Sequence, residues 1–234
     1  PVSTNIDVTA DTVVFEAGIT LLMDSSSSLT HLSNSFQGAL IFGGTSTDSV
    51  FVYSPSSGSI VSSRRADVFL NYALVRNIHI DARNDLSISN CYLTGSILLG
   101  SSTNQVEGSI ANSTFTNITA FRAIIFAGDV LIDHCIFKEN TPNQSLLQLE
   151  GGSTIQNCQF LNNTSGRIIQ LDINSSGDKV TKNTFRGNST STLGGIVNIR
   201  SNQSPHFFDF TYNTVDSNSN RARGGVYLLD NQIR

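Results

Sequence analysis

The sequence predicts an all-β fold, a parallel β-helix in which short strands stack coil upon coil. Three observations carry this expectation. One is a repeat with fixed apolar and small positions, its copies starting 22 to 30 residues apart. Another is the lack of any amphipathic helical pattern between the copies. A third is compositional: Ser, Thr and Asn are abundant and Trp is absent, which suits turn-rich β structure with a polar exterior.

The repeat appears when six segments are aligned: ISNCYLTG (88–95), IANSTFTN (110–117), IDHCIFKE (132–139), IQNCQFLN (155–162), VTKNTFRG (180–187) and FTYNTVDS (210–217). Each copy is apolar at its first and sixth positions and small (Cys, Ser or Asn) at its fourth. Four copies continue to Asn at the ninth position: Asn140, Asn163, Asn188 and Asn218. A second apolar run follows each copy, at 96–99, 123–126, 146–149, 168–171, 195–199 and 225–229. A unit this short cannot bury its own apolar face, whereas stacked units can. An antiparallel sandwich would call for tight Asn-Gly or Asp-Gly hairpin turns, and a leucine-rich repeat for LxxLxLxxN; neither pattern is present.

Within IQNCQF, alternation points Ile155, Cys158 and Phe160 inward, with a sharp left-handed bend at Asn157, a conformation Asn tolerates. Phe115, Phe137, Phe160 and Phe185 are then expected to stack as an internal aromatic ladder, and Asn140, Asn163, Asn188 and Asn218 as an amide ladder. Residues 1–70 are expected to form irregular early coils or an N-terminal cap, and residues 71–234 the regular coils. The beginning at Pro1 suggests a mature or excised piece, and the ending inside a unit suggests fragmentation or a partner stacked on that end.

Bulk properties remove several function classes. Of 234 residues, 14% are charged and the net charge is −4, with basic residues scattered mostly singly. Nucleic acid needs a clustered basic face, so it is not an expected partner. No apolar run approaches the roughly 18–20 residues of a membrane span. Three cysteines cannot staple a small disulfide scaffold. Outward columns mixing Ser, Ala, Asp, Gln and Thr are unlike the regular threonine arrays of ice-binding surfaces.

The signatures FKEN (137–140), FLNN (160–163) and FRGN (185–188), together with GGIV (194–197) and GGVY (224–227), resemble the polymorphic outer-membrane-protein repeat. That resemblance spans roughly residues 85–230. It implies a right-handed β-helix and a role in surface display or adhesion. LIDHC (131–135) is also similar to the WIDHC element of pectate lyases, which share that fold. Their chemistry would require a calcium site of several acidic residues and an arginine base. The frame places Ser89, Ala111, Gln156 and Thr181 in the Asp133 column, without a second carboxylate. His134 falls in the bend slot occupied by Asn90, Asn112 and Asn157, so the Asp133–His134 pair is expected to be a rung of the ladder. The polygalacturonase and pectin methylesterase motifs are missing, and Asp172, Asp178, Asp209 and Asp216 are isolated. No catalytic residue, metal site or cofactor is assigned.

Cys135 and Cys158 share the inward slot on adjacent coils, close enough for a disulfide; the simpler expectation is a small buried residue interchangeable with Ser113. Eight sequons are present, and Asn163 and Asn188 among them coincide with ladder positions. Glycans are therefore expected, in a secreted eukaryotic setting, at Asn117, Asn143, Asn174 and Asn202, with Asn112 and Asn162 as further candidates. The functional expectation is a non-enzymatic structural or adhesive module, extracellular or at the cell surface. Its expected partners are its own copies or surface and matrix glycans and proteins. The alternative is a carbohydrate-active or polysaccharide-binding β-helix, which a groove with clustered acids and an arginine along one sheet would favour.

Overall fold

The computed structural model describes residues 6–8, 12–24, 27–31, 38–62, 66–82, 84–95, 99–101, 107–173, 177–191, 195–201, 208–220 and 226–230. Every described element is a strand, and every strand pairing is parallel: the chain is a parallel β-helix. Three faces enclose the core. The first is a nine-stranded sheet that runs from Thr12–Glu16 through Asp67–Asn71, Leu86–Ser89, Gly108–Ala111, Val130–Asp133 and Thr154–Gln156 to Phe208–Asp209. The second carries Tyr92–Thr94, Thr114–Thr116, Ile136–Lys138, Gln159–Leu161, Thr184–Arg186 and Thr214–Asp216. The third carries Arg122–Phe126, Ser145–Leu149, Arg167–Ile173, Val197–Ser201 and Val226–Asp230. In the early coils the long strands Val50–Ser62 and Ala73–Asp81 run along both the second and the third face. Within the first seventy residues, Thr12–Glu16 and Ala39–Gly43 already lie in register on the first face.

Two left-handed corners shape each coil. The first uses Tyr72, Asn90, Asn112, His134, Asn157, Lys182 and Tyr212, with φ between 48° and 58°. The second lies five residues on, at Asn77, Gly95, Asn117, Glu139, Asn162, Gly187 and Ser217. Left-handed backbone costs an L-residue roughly 1–2 kcal/mol, least for Gly and Asn, which explains the prevalence of those two types. At Gly187 the need is double, because a Cβ there would overlap the Asn162 Oδ1 of the preceding coil.

Inside, Ile88, Ile110, Ile132, Ile155 and Val180 line up behind the first face, all fully buried. Phe115, Phe137, Phe160 and Phe185 stack nearly parallel with centroids 4.9, 4.8 and 4.8 Å apart. The column is continued by Leu93 on one side and Val215 on the other. A separate pair, Phe15 on Phe42 at 4.8 Å, sits in the early coils.

Beside the rings runs the amide ladder. Asn163 Oδ1 accepts from Asn140 N at 3.0 Å and Asn140 Nδ2 at 2.8 Å. Asn163 Nδ2 donates to Phe137 O at 2.9 Å and to Asn188 Oδ1 at 2.9 Å. Asn188 and Asn218 repeat the pattern. Each carboxamide thus satisfies buried backbone groups of the preceding coil that the turn leaves without sheet partners.

A second ladder occupies the small slot after the first corner. Its members are Ala73, Cys91, Ser113, Cys135, Cys158, Asn183 and Asn213. Ala73 N donates to Cys91 Sγ, Cys91 N to Ser113 Oγ, Cys135 N to Cys158 Sγ and Cys158 N to Asn183 Oδ1, over 2.8–3.4 Å. Cys135 and Cys158 remain free thiols, so the sterically open disulfide is not formed. Burial raises the Cys91 thiol to about 11, and contact with Cys135 together with burial pushes Cys158 well up. The slot therefore selects a small acceptor as well as a small volume. Cys158→Ser is expected to stay within about 1 kcal/mol of the parent, because a hydroxyl can make the same bonds. Cys158→Val, which leaves Cys135 N without an acceptor, is expected to cost about 1–3 kcal/mol. Chemical denaturation checks both, and a Val variant more stable than the Ser variant would reduce the slot to apolar packing.

Candidate functional site

Asp133 and His134 face outward at the trailing edge of the first face. Asp133 Oδ1 accepts from His134 Nδ1 at 2.9 Å and from Asn157 Nδ2 at 2.8 Å. Burial works against ionisation, but the hydrogen bonds from Asn157 and His134 outweigh it and lower the Asp133 carboxyl. His134 itself holds the corner at φ 51°. Cys135, the next residue, points the other way into the core and is 1% exposed. The three groups thus do not converge on one reacting atom. Along the sheet, Asp133 is stacked between Ala111 and Gln156, then Ser89 and Thr181 beyond them.

The acids gather instead at the leading edge of the same sheet. Leu86 pairs with Gly108, and Gly108 with Val130, which stacks the preceding Asp85, Glu107 and Asp129 on successive coils. Asp67 extends the row, its Oδ1 accepting from Asp85 N at 3.3 Å and from Asn84 Nδ2. Asp129 Oδ1 takes the Gly152 N–H at 2.7 Å. Asp85 and Glu107 are exposed. Burial, then the Asp67 and Glu107 charges, raises the Asp85 carboxyl above its ordinary value. None of these four acids is among those the sequence reading singled out, Asp133, Asp172, Asp178, Asp209 and Asp216. The signal for the row was present in the sequence: an acid stands three residues ahead of each of the first three aligned segments.

Beside the acid row runs a groove of about 640 Å³. Its floor is the outward column of the sheet, where Phe69, Ser87, Ser109, Leu131 and Thr154 follow one another coil by coil. The hollow exists because two serines, whose hydroxyls lie 3.1 Å apart, sit between the larger Phe69 and Leu131. Those two end residues are three coils apart, roughly 14 Å at the usual strand spacing. The acidic stretch ends where Gly152 takes the place of an acid and Lys179 follows Thr154 in the floor column.

A raised carboxyl contributes stability that is present below its unfolded pKa and lost as pH rises through its folded value. Asp85→Asn is therefore expected to raise the melting temperature at neutral pH and to change little near pH 3. Screening at such an exposed site limits the gain to about 0.5 kcal/mol. A drop in stability at neutral pH would contradict the like-charge strain described here.

The family described as right handed beta helix region matches residues 76–233, well over half of the chain. The chain belongs to the right-handed β-helix family. No curated protein and no solved structure matches it. Among the described residues of this β-helix, no group of three or more His, Cys, Asp or Glu side chains could hold a metal ion. No helix in those residues is long and apolar enough to cross a membrane.

Four of the sequon asparagines, Asn112, Asn117, Asn143 and Asn162, are exposed. Asn112 occupies the first corner, and Asn117 and Asn162 share the second-corner column. Asn174 and Asn202 lie outside the described residues. The ladder amides Asn163 and Asn188 are fully buried and have no room for a sugar.

Proposed function

We propose that this β-helix is a non-enzymatic, adhesive module of an extracellular or cell-surface protein that lays a linear polysaccharide along the first-face groove. The observation that carries the reading is the straight hollow over Ser87 and Ser109, bracketed by Phe69 and Leu131. Linear glycans present alternating hydroxyl edges and apolar ring faces, which such a mixed floor matches. A parallel sheet holds these side chains on a rigid frame, so little ordering entropy is lost on binding. The resemblance of the FxxN segments to surface-displayed repeats supports the same setting. Exposed corner asparagines would carry glycans without covering the groove floor, and end-to-end contact between copies would extend the rod.

The enzymatic alternative is less well supported. Asp129 and Asp133 stand on opposite edges of one strand, four residues or roughly 13 Å apart. Glycoside hydrolysis uses carboxyl pairs about 5–9.5 Å apart that flank the scissile bond, whereas Asp85, Glu107 and Asp129 all stand on one wall of the groove. Among the described residues, the groove lining contains no arginine or lysine that could act as the base of a lyase.

Affinity electrophoresis through gels containing single linear polysaccharides tests the proposal. Retardation without release of new reducing ends or unsaturated products is expected. Product release that disappears in Asp133→Ala, or no retardation by any linear glycan, would overturn it.

A further inference from the structure

The groove combines two features that select among linear polymers. Its floor offers the Ser87 and Ser109 hydroxyls between the apolar surfaces of Phe69 and Leu131, the last of these 42% exposed. One wall carries a carboxylate on every coil, from Asp85 through Glu107 to Asp129. Among the described residues, the lining has no positive side chain to neutralise them. Turn geometry explains Asp67 and Asp129, which accept backbone N–H groups. It does not explain Asp85 and Glu107, which project at neighbouring rungs of the same column.

We propose that the groove is built for a linear polymer of amino sugars carrying free amines, with the ammonium groups against the acid row and the rings over the serine floor. This rests on the polysaccharide-binding reading above and adds the charge of the ligand to it. Charge complementarity decides against polyuronates and sulfated glycans, whose anions the row would repel. The floor decides against a simple polycation, since a basic peptide has no use for hydroxyls spaced between two apolar plates. Spacing agrees as well: the coils recur about every 4.8 Å, close to the rise of one pyranose unit in an extended β-linked chain. Neighbouring units of such a chain face opposite sides, so every second amine can meet a carboxylate two coils on, as from Asp85 to Asp129. Opposed charges along an exposed groove also make the association sensitive to salt.

Calorimetric titration near pH 6 tests this with three probes: a deacetylated chito-hexaose, its fully N-acetylated counterpart and an octalysine peptide. The deacetylated sugar is expected to bind at least tenfold more tightly than the acetylated one, and to lose that margin in the Asp85→Asn/Glu107→Gln double variant or at high salt. Circular dichroism and the melting temperature show whether that variant is folded, and its exposed substitutions leave the core untouched. Equal affinities for the two sugars would overturn the charge assignment while leaving the polysaccharide reading in place. Binding of neither sugar would overturn both. Octalysine binding as tightly as the deacetylated sugar would reduce the groove to a general polycation surface and overturn the commitment to a sugar.

Discussion

Replacing Asn163 with Ala is expected to lower stability by about 3 kcal/mol or more, as large an effect as any polar substitution among the described residues should have. The side chain is fully buried and sits in the middle of its ladder. Its removal strands Asn140 N, Phe137 O and one N–H of Asn140 Nδ2, whose other N–H still bonds Phe115 O, and water cannot reach these groups without opening the coil. Each unsatisfied buried group costs about 1–3 kcal/mol. The neighbouring Asn162 is the control. It is exposed and holds only the corner, so Asn162→Ala should cost about 1 kcal/mol, the penalty of a left-handed Ala. Denaturant unfolding of the two variants separates a ladder from a collection of polar turns. Equal losses at 162 and 163 would show that the amides do not act through their coil-to-coil bonds.

The second large effect is Phe160→Ala, expected to cost about 3–5 kcal/mol. Phe160 is stacked at 4.8 Å on both Phe137 and Phe185, so truncation opens a void with aromatic walls on two sides. Rigid sheets on all sides cannot collapse into it. In a solenoid each coil touches mainly its neighbours, so stability is close to a sum of coil and interface contributions. Losing an interior ring therefore weakens two interfaces at once. Phe121, 63% exposed, gives the contrast: Phe121→Ala should change stability by less than about 0.5 kcal/mol. Hydrogen exchange would localise the effect, with amides in the coils of Phe137 and Phe185 opening before those near Phe42.

The ladders were legible because an inward slot tolerates few residue types. Position six must be large and apolar, and position nine must reach two backbone groups at once. Phe160 and Asn163 therefore announce themselves wherever the register is right. The second corner was not legible, since a left-handed residue can be Asn, Gly, Glu or Ser, as at Asn117, Gly187, Glu139 and Ser217. Its regularity lies in a backbone angle, which the side chain only hints at. The hydrogen-bonding role of Cys91, Cys135 and Cys158 was hidden for a similar reason. Burial and size explain those residues equally well until the backbone N–H groups facing them are seen. The acid row escaped because it precedes the repeating frame and mixes Asp with Glu. Asp133–His134 drew notice by adjacency in sequence, while Asp85, Glu107 and Asp129 are adjacent only in space.

Whether function lies in that groove or in the Asp133–His134 pair can be settled by one comparison. Binding of a retained linear polysaccharide is measured for the parent, for Ser109→Trp, which fills the hollow, and for His134→Asn, which gives the corner the residue most common there. Retardation abolished by Ser109→Trp and unchanged by His134→Asn is the predicted result. Retardation unaffected by the Trp but lost with the Asn would contradict the account, and would return the chemistry to the pair.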